Sequence, residues 1–205
     1  MVQPANKQVL FLGAGLMSEP VIDYLLKRKE NIITIANNIV KDAEKICSTR
    51  ERCTAKLLDV NDQDSLGKLV EGADIVISYI PAFLHPKVAE VCLEKNKNMI
   101  TASYISKELA ALNEKVIDKG LTFLNEIGFD PGIDHLSTMK VLDEVHAHGG
   151  KILEYESYGS GLPAPDCCDN PFGYKFTWSP IGALRSIKNE AKYLKNGQIE
   201  VIPGA

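Results

Sequence analysis

An α/β fold built on a doubly wound parallel sheet is predicted by three observations. The run Gln8-Val9-Leu10-Phe11-Leu12 enters Gly13-Ala14-Gly15, and a helical apolar pattern follows at Val21, Ile22, Leu25 and Leu26. Strand and helix patterns then alternate with short connections as far as residue 131. Ile75-Val76-Ile77-Ser78-Tyr79-Ile80 is nearly continuous in apolar character, the pattern of a parallel strand buried on both faces.

Composition narrows the function. A chain of 205 residues has room for one full domain and part of another. A hydrophobic fraction of 45% and a charged fraction of 24% are those of an ordinary globular protein. The net charge of −4 gives no reason to expect a nucleic acid or an anionic membrane as partner. No apolar run approaches the ~20 residues of a membrane-spanning helix. Met1 to Lys7 holds no apolar segment and does not read as a secretory signal. The five cysteines, Cys47, Cys53, Cys92, Cys167 and Cys168, lack paired metal-ligand spacing. Their odd number, with no secretory signal, predicts free thiols in a reducing compartment.

The first strand, Gln8 to Leu12, turns through the glycines into a helix reaching about Lys29. Such a turn aims backbone N–H groups and the positive helix end at one spot, where a phosphate is the natural guest. Gly13 can supply the tight turn, and Gly15 lets a pyrophosphate approach without striking a Cβ. Ser18 stands where this dinucleotide fingerprint prefers Gly or Ala; it is small, and its hydroxyl could donate to a phosphate.

Ile32 to Ala36 reads as the second strand, ending at Asn37-Asn38. NAD-binding units usually place an acid there for the ribose, and NADP-binding units often place Arg nearby. With neither present, the expectation leans slightly to NAD over NADP, because Asn alone cannot offset a 2′-phosphate charge. A helix at Val40 to Cys47 precedes a third strand, Thr54 to Leu58, which ends at Asp59-Val60. Asn61-Asp62 can cap the next helix, through Leu66, Leu69 and Val70. The fourth strand, Ile75 to Ile80, stops at Pro81, and a helix runs from Pro86 to Lys95. His85 could serve as a general acid or base, but a loop residue ahead of a helix-starting proline is the simpler reading.

Asn98 to Thr101 is a fifth strand ending at Ala102-Ser103-Tyr104. Ser106 caps one helix with apolar positions Leu109, Leu112 and Val116, and Leu121 to Leu124 is the sixth strand. Beyond Asp130-Pro131-Gly132 the style changes. A long helix, Ile133 to His148, closes at Gly149-Gly150, and Lys151 to Ser157 reads as a strand. Gly159 to Pro165 is too rich in Gly and Pro for regular structure. Lys175 to Ser179 is a strand candidate, Pro180 opens a helix to Lys195, and Ile199 to Ile202 starts a last strand with an open edge. His135, His146 and His148 share no metal spacing with acids or cysteines, and no metal is expected.

In order and spacing, several stretches together resemble the glutamate-forming saccharopine dehydrogenases. They are Gly13 to Pro20, Asp74 to Pro81, Thr101 to Tyr104, Gly128 to His135, Gly161 to Pro165 and Asp169 to Pro180. That family includes separate fungal enzymes and the C-terminal half of bifunctional aminoadipic semialdehyde synthase. His85-Pro86 and Asn98 to Ile105 resemble the animal bifunctional type more closely. The resemblance implies a Rossmann-type dinucleotide-binding domain at 1–131, followed by the start of an α+β substrate domain at 132–205.

It also implies a lysine-metabolism oxidoreductase that oxidises saccharopine with NAD(P) to glutamate and aminoadipate semialdehyde, reversibly. The cofactor accepts hydride, and the protein supplies position and electrostatics. On the cofactor side the resemblance implies Gly13, Ala14, Gly15, Leu16, Met17 and Ser18 at the pyrophosphate, and Asn37 at the ribose. It implies Asp59 and Val60 at the adenine, Ile80 and Pro81 on the nicotinamide side, and Ala102 and Phe129 as further cofactor-binding residues. On the substrate side it implies Ser103, Tyr104, Asp130, Thr177, Trp178 and Ser179, with Asp130 as the catalytic candidate, an anion for a substrate ammonium. Read without the resemblance, Asp130 could equally be a helix N-cap, and Trp178 a core residue.

The family's substrate domain continues past residue 205 and supplies an arginine there for a substrate carboxylate. The alternative is therefore a truncated, catalytically silent chain that binds the dinucleotide alone, and at this length turnover is expected to be weak or absent. A soluble protein of the cytoplasm or the mitochondrial matrix is expected, and a homo-oligomer is compatible with everything in the sequence.

Overall fold

The structure, a computed structural model, describes residues 6–159, 161–177, 179–186 and 188–204. The chain forms two compact units, residues 1–159 and 160–205.

The first unit is a six-stranded parallel sheet in the order β3-β2-β1-β4-β5-β6. Its strands are β1 (Lys7–Leu12), β2 (Asn31–Asn37), β3 (Cys53–Leu57), β4 (Ile75–Ser78), β5 (Asn98–Thr101) and the short β6 (Phe123–Leu124). The order reverses between β1 and β4. In open α/β sheets, ligands bind beyond the carboxyl ends of the strands at such a switch point.

Helices α1 (Ser18–Leu26), α2 (Val40–Cys47), α3 (Gln63–Glu71) and α4 (His85–Glu94) link the first five strands. Two apolar clusters form the core. Phe11, Ile22, Ile33, Ile35 and Ala43 belong to one, and Leu10, Leu12, Leu66, Val70, Val76, Val88 and Met99 to the other. Residues of β1 alternate between the two clusters, as the period of two requires when a strand is covered on both faces. Asp62 caps α3 by accepting from Ser65 N at 3.1 Å, as expected.

Several sequence expectations are corrected. The helix capped by Ser106 is two helices, α5 (Lys107–Ala110) and α6 (Asn113–Asp118). Leu112 N bonds back to Leu109 O, a tighter three-residue step that interrupts the helical ladder. Cys47 and Cys53 are not free thiols but a disulfide: α2 ends at one and β3 begins at the other, 5.0 Å apart between Cα atoms. Helix α7 (Ile133–Ala147) forms where expected. Lys151 to Ser157 forms no strand; among the described residues no neighbour supplies the ladder that a strand needs.

The second unit holds α8 (Pro180–Ser186) and the antiparallel hairpin β7 (Ala191–Lys195) and β8 (Gln198–Ile202). The helix expected to reach Lys195 therefore stops early, and the edge of the last strand is paired by β7. The cause is Asn196-Gly197, with φ of 51° and 77°. This is the left-handed pair that closes a two-residue hairpin. Lys175 to Thr177 and Ser179 are irregular, and Trp178 lies outside the described residues. No helix among the described residues is long and apolar enough to cross a membrane.

Phe11 is fully buried and its ring centroid lies 5.1 Å from that of Tyr79, so β1 and the segment leaving β4 share one packed contact. Replacing Phe11 by Ala is expected to cost about 3–5 kcal/mol in urea unfolding. A loss below about 1 kcal/mol would contradict this description of the core.

Candidate active site

Gly13 closes β1. Its φ is 107°, and a Cβ built there would lie 2.8 Å from the Tyr79 carbonyl oxygen, so only glycine fits without moving β4. Its N–H donates to Ala36 O at 2.9 Å, which ties the turn to β2 as well. Gly15 is the opposite case: it is exposed, and a Cβ there would meet nothing within 4 Å. Ala14 is half-buried, and Leu16 and Met17 stand exposed at the mouth of the turn.

Ser18 begins α1 and is 1% exposed. Its hydroxyl donates inward to Gly13 O at 3.4 Å, so it braces the turn where a phosphate contact was the sequence expectation. Met17, the cap residue, makes no side-chain cap bond to the helix. The turn thus presents an open face next to a helix start that carries partial positive charge.

At the end of β2, Asn37 is half-buried and donates to Ile39 O at 3.0 Å. Asp59 is exposed and accepts from both the backbone N and the side-chain amide of Asn61 at 2.9 Å. Val60 points into the core at 8% exposure, so only its backbone is left for a ligand. Ile80 packs against the core and Pro81 is exposed.

The substrate-side candidates Ser103, Tyr104 and Asp130 are brought together beyond β5. Ser103 N donates to Thr101 Oγ1, and Ser103 O accepts from Glu126 N, so the residue is held at both backbone ends. Tyr104 donates its phenol proton to Asp130 Oδ1 at 2.5 Å. That bond, more than partial burial, pushes the Tyr104 pKa up to about 12.

Asp130 is not the N-cap of α7. Gly132 occupies that place, its N–H donating to Asp134 Oδ1 at 2.9 Å. Asp130 instead precedes a cis bond to Pro131, and Gly132 lies so close to Gly128 that a Cβ would fall 2.1 Å from Gly128 O. Phe129 is exposed and Ala102 half-buried beside this turn. The same turn gathers ligand atoms of Asp130, Asp134 and His135 within 4.8 Å, an acid–histidine grouping that linear spacing did not disclose. Exposed acids group this way without a metal, and no metal is inferred. Thr177 and Ser179 are exposed and belong to the second unit.

Sequence reasoning weighed His85 as a general acid or base and preferred a loop residue ahead of a helix-starting proline. It opens α4, is 1% exposed, and touches three hydroxyls: Ser78 Oγ at 2.9 Å, Ser103 Oγ at 2.9 Å and Thr101 Oγ1 at 3.1 Å. Burial lowers its pKa to about 4, so the ring is neutral. The available signal was a histidine at a helix start between two strand ends that each carry a hydroxyl. A cavity of about 320 Å³ lies elsewhere, between the end of α1 and the α2–β3 turn, lined among others by Asp23, Lys27, Arg50 and Arg52.

Residues 9–124 match the saccharopine dehydrogenase NADP binding domain, and residues 128–205 match the saccharopine dehydrogenase C-terminal domain. The chain belongs to the saccharopine dehydrogenase family. It is 43% identical over 196 residues to "Saccharopine dehydrogenase [NADP(+), L-glutamate-forming]" of Schizosaccharomyces pombe, covering 96% of this chain and 44% of that protein. To mitochondrial alpha-aminoadipic semialdehyde synthase of Bos taurus it is 42% identical over 194 residues, covering 95% of this chain and 21% of that protein. The apo saccharopine dehydrogenase (L-Glu forming) of Saccharomyces cerevisiae superimposes with a TM-score of 0.87 at 42% identity, over 97% of this chain and 44% of that one. The chain thus spans less than half the length of the saccharopine dehydrogenases it matches. The lean toward NAD finds no support among relatives named for NADP(+).

The Tyr104–Asp130 bond can be tested by ultraviolet titration. Tyr104, isolated by difference against Tyr104→Phe, is expected to remain neutral past pH ~11, and Asp130→Asn should return its ionisation toward 10. Ionisation near 10 in the intact protein would contradict the pair.

Proposed function

We propose that this chain carries the dinucleotide half and part of the substrate half of an oxidoreductase of lysine metabolism. The reaction is oxidation of saccharopine to glutamate and aminoadipate semialdehyde, with NADP(H) as the cofactor. The observation that supports it most is that an open glycine turn and the Tyr104–Asp130 pair both lie beyond the carboxyl ends of the same parallel strands. We read 1–131 as the dinucleotide-binding domain and 132–205 as the beginning of the substrate domain. Relatives named as mitochondrial support the matrix as one compartment, with the cytoplasm as the other.

The residues at the turn fit a pyrophosphate. Gly15 leaves its surroundings open, Gly13 holds the turn against β4, and the N–H groups at the start of α1 supply donors. Asn37 can hydrogen-bond a ribose, and Asn37-Asn38 presents no carboxylate to oppose a 2′-phosphate. The Asp59 carboxylate and the Val60 backbone face the adenine end, and Ile80, Pro81, Ala102 and Phe129 the nicotinamide end. Held there, a dinucleotide would supply the acceptor for the hydride that leaves the carbon beside the secondary amine of saccharopine.

The chain's own groups then act on charge. Saccharopine carries three carboxylates and two amino groups. Ser103 donates to a carboxylate, and the Asp130 carboxylate takes a substrate ammonium. Tyr104, kept protonated, holds Asp130 in orientation and has no tendency to ionise near neutral pH. Once hydride has left, the substrate imine adds water and splits to the amine of glutamate and the aldehyde. Asp130 is positioned to accept a proton in that step. For Thr177, Trp178 and Ser179 the substrate role is carried over from the family resemblance alone.

Fluorescence titration with NADPH, followed by NADPH formation from saccharopine and NADP, tests this reading. Binding with turnover supports it, and binding without turnover selects a silent dinucleotide-binding chain. No binding removes both. Gly15→Val is expected to weaken NADPH binding at least about tenfold while leaving the melting temperature nearly unchanged, because a β-carbon there meets no protein atom within 4 Å and stands in space open to a ligand. Unchanged affinity in that variant would displace the dinucleotide from this turn.

A further inference from the structure

A pyrophosphate at the glycine turn has an acid for a neighbour: Glu19 is the second residue of α1 and lies in its first turn. A carboxylate left free there is drawn to the positive helix start, where it competes for the donors a phosphate needs and repels the phosphate's charge. We propose that Arg50 is a positioning residue that holds the Glu19 carboxylate along the side of α1 and so keeps the helix start open to the dinucleotide. The proposal rests on the dinucleotide reading of the turn, which it deepens by adding a residue that lies outside the turn.

Arg50 Nη2 donates to Glu19 Oε1 at 2.9 Å, and Nε donates to Asp23 Oδ1 at 2.7 Å. Glu19 and Asp23 are four residues apart, so they stand on one face of α1, a turn from each other. One guanidinium shared between them turns the Glu19 carboxylate toward Asp23, away from the helix start. The arginine is itself fixed. Nη1 donates to Ile46 O in the last turn of α2, Arg50 N donates to Cys47 O at 2.9 Å, and Arg50 O accepts from Cys53 N at 3.3 Å. Its side chain is 12% exposed, against 60% for Glu19, so a clamped fork grips an acid that would otherwise be free to swing.

The neighbouring cations are engaged elsewhere. Arg52 donates to the carbonyls of Leu26, Arg28, Lys29 and Asn31, and Lys27 Nζ lies over the Tyr24 ring. Among the described residues, Arg50 is the cation paired with Glu19. Ion pairs to exposed acids add little to folding stability, so the effect of this one is felt in the charge beside the turn.

Wild type, Arg50→Ala, Glu19→Gln and the Arg50→Ala/Glu19→Gln double variant are compared in the natural polypeptide that carries these residues. Asp23→Asn, alone and with Arg50→Ala, is the control one turn away. The readouts are the NADPH dissociation constant at low and high salt, and the melting temperature. Arg50→Ala is expected to weaken NADPH binding about fivefold at low salt, with the deficit shrinking in high salt, because the freed carboxylate then stands near the pyrophosphate. Glu19→Gln alone should change affinity less than about twofold, yet in Arg50→Ala it should bring affinity back to within about twofold of wild type, a coupling that independent charges do not show. The melting temperature lost with Arg50 should not return with that affinity, which separates placement of the acid from folding. Asp23→Asn should restore nothing.

Wild-type affinity in Arg50→Ala, a deficit that Glu19→Gln does not relieve, equal gains from Glu19→Gln in both backgrounds, or equal rescue by Asp23→Asn would overturn the proposal while leaving the dinucleotide reading in place. If Arg50→Ala does not fold, Arg50→Met, which keeps the length of the stem without its charge, takes its place in the same comparison. A wild type that binds no NADPH removes the dinucleotide reading, and the role of Arg50 with it.

Discussion

The contact on which the rest of the structure depends is the approach of Gly13 to the Tyr79 carbonyl. Two parallel strands, β1 and β4, leave the sheet side by side at its switch point, and no side chain can stand between their ends. A β-carbon at Gly13 would push the strands apart or turn the loop outward. Either change would move the first turn of α1 away from the crevice. The inward-facing hydroxyl of Ser18 and the bond from Gly13 N to Ala36 O hold the same turn from two other directions. The dinucleotide fingerprint is thus as much a packing requirement at Gly13 as a ligand requirement at Gly15.

Much of this was legible in the chain. The β1 run into Gly-Ala-Gly, the apolar β4 segment and the alternation of elements lead to the observed sheet, because a parallel strand covered on both faces writes its burial directly into residue type. Caps at Asp62 and Ser106 were legible for the same local reason. The misreadings arose where local pattern competes with pairing. Ala191 to Lys195 carry helix-compatible residues, yet the left-handed pair Asn196-Gly197 turns them back as a hairpin strand. That dipeptide was visible and was not weighed. Lys151 to Ser157 erred in the other direction, having strand-like residues but no neighbour to bond.

The site was legible in its identities more than in its arrangement. Ser103, Tyr104 and Asp130 were named from sequence, but the phenol–carboxylate bond needs a loop threaded through Gly128 and Gly132, whose near contact no linear pattern encodes. Ser18, a fingerprint position, and Val60, an adenine-side position by the resemblance, show the reverse, since their side chains turn inward to the protein. His85 was discounted because a histidine before proline looks like a loop residue. Its burial among Ser78, Thr101 and Ser103 follows from the parallel ends of β4 and β5, which only the sheet order reveals.

Amide hydrogen exchange with and without NADPH tests the central claim most directly, because it reads the turn itself. The account predicts new protection confined to 13–19, with weaker protection at 79–82 and 102–104, and little change around the cavity at Asp23 and Arg50. Protection at that cavity, with the glycine turn exchanging as fast as before, would contradict it.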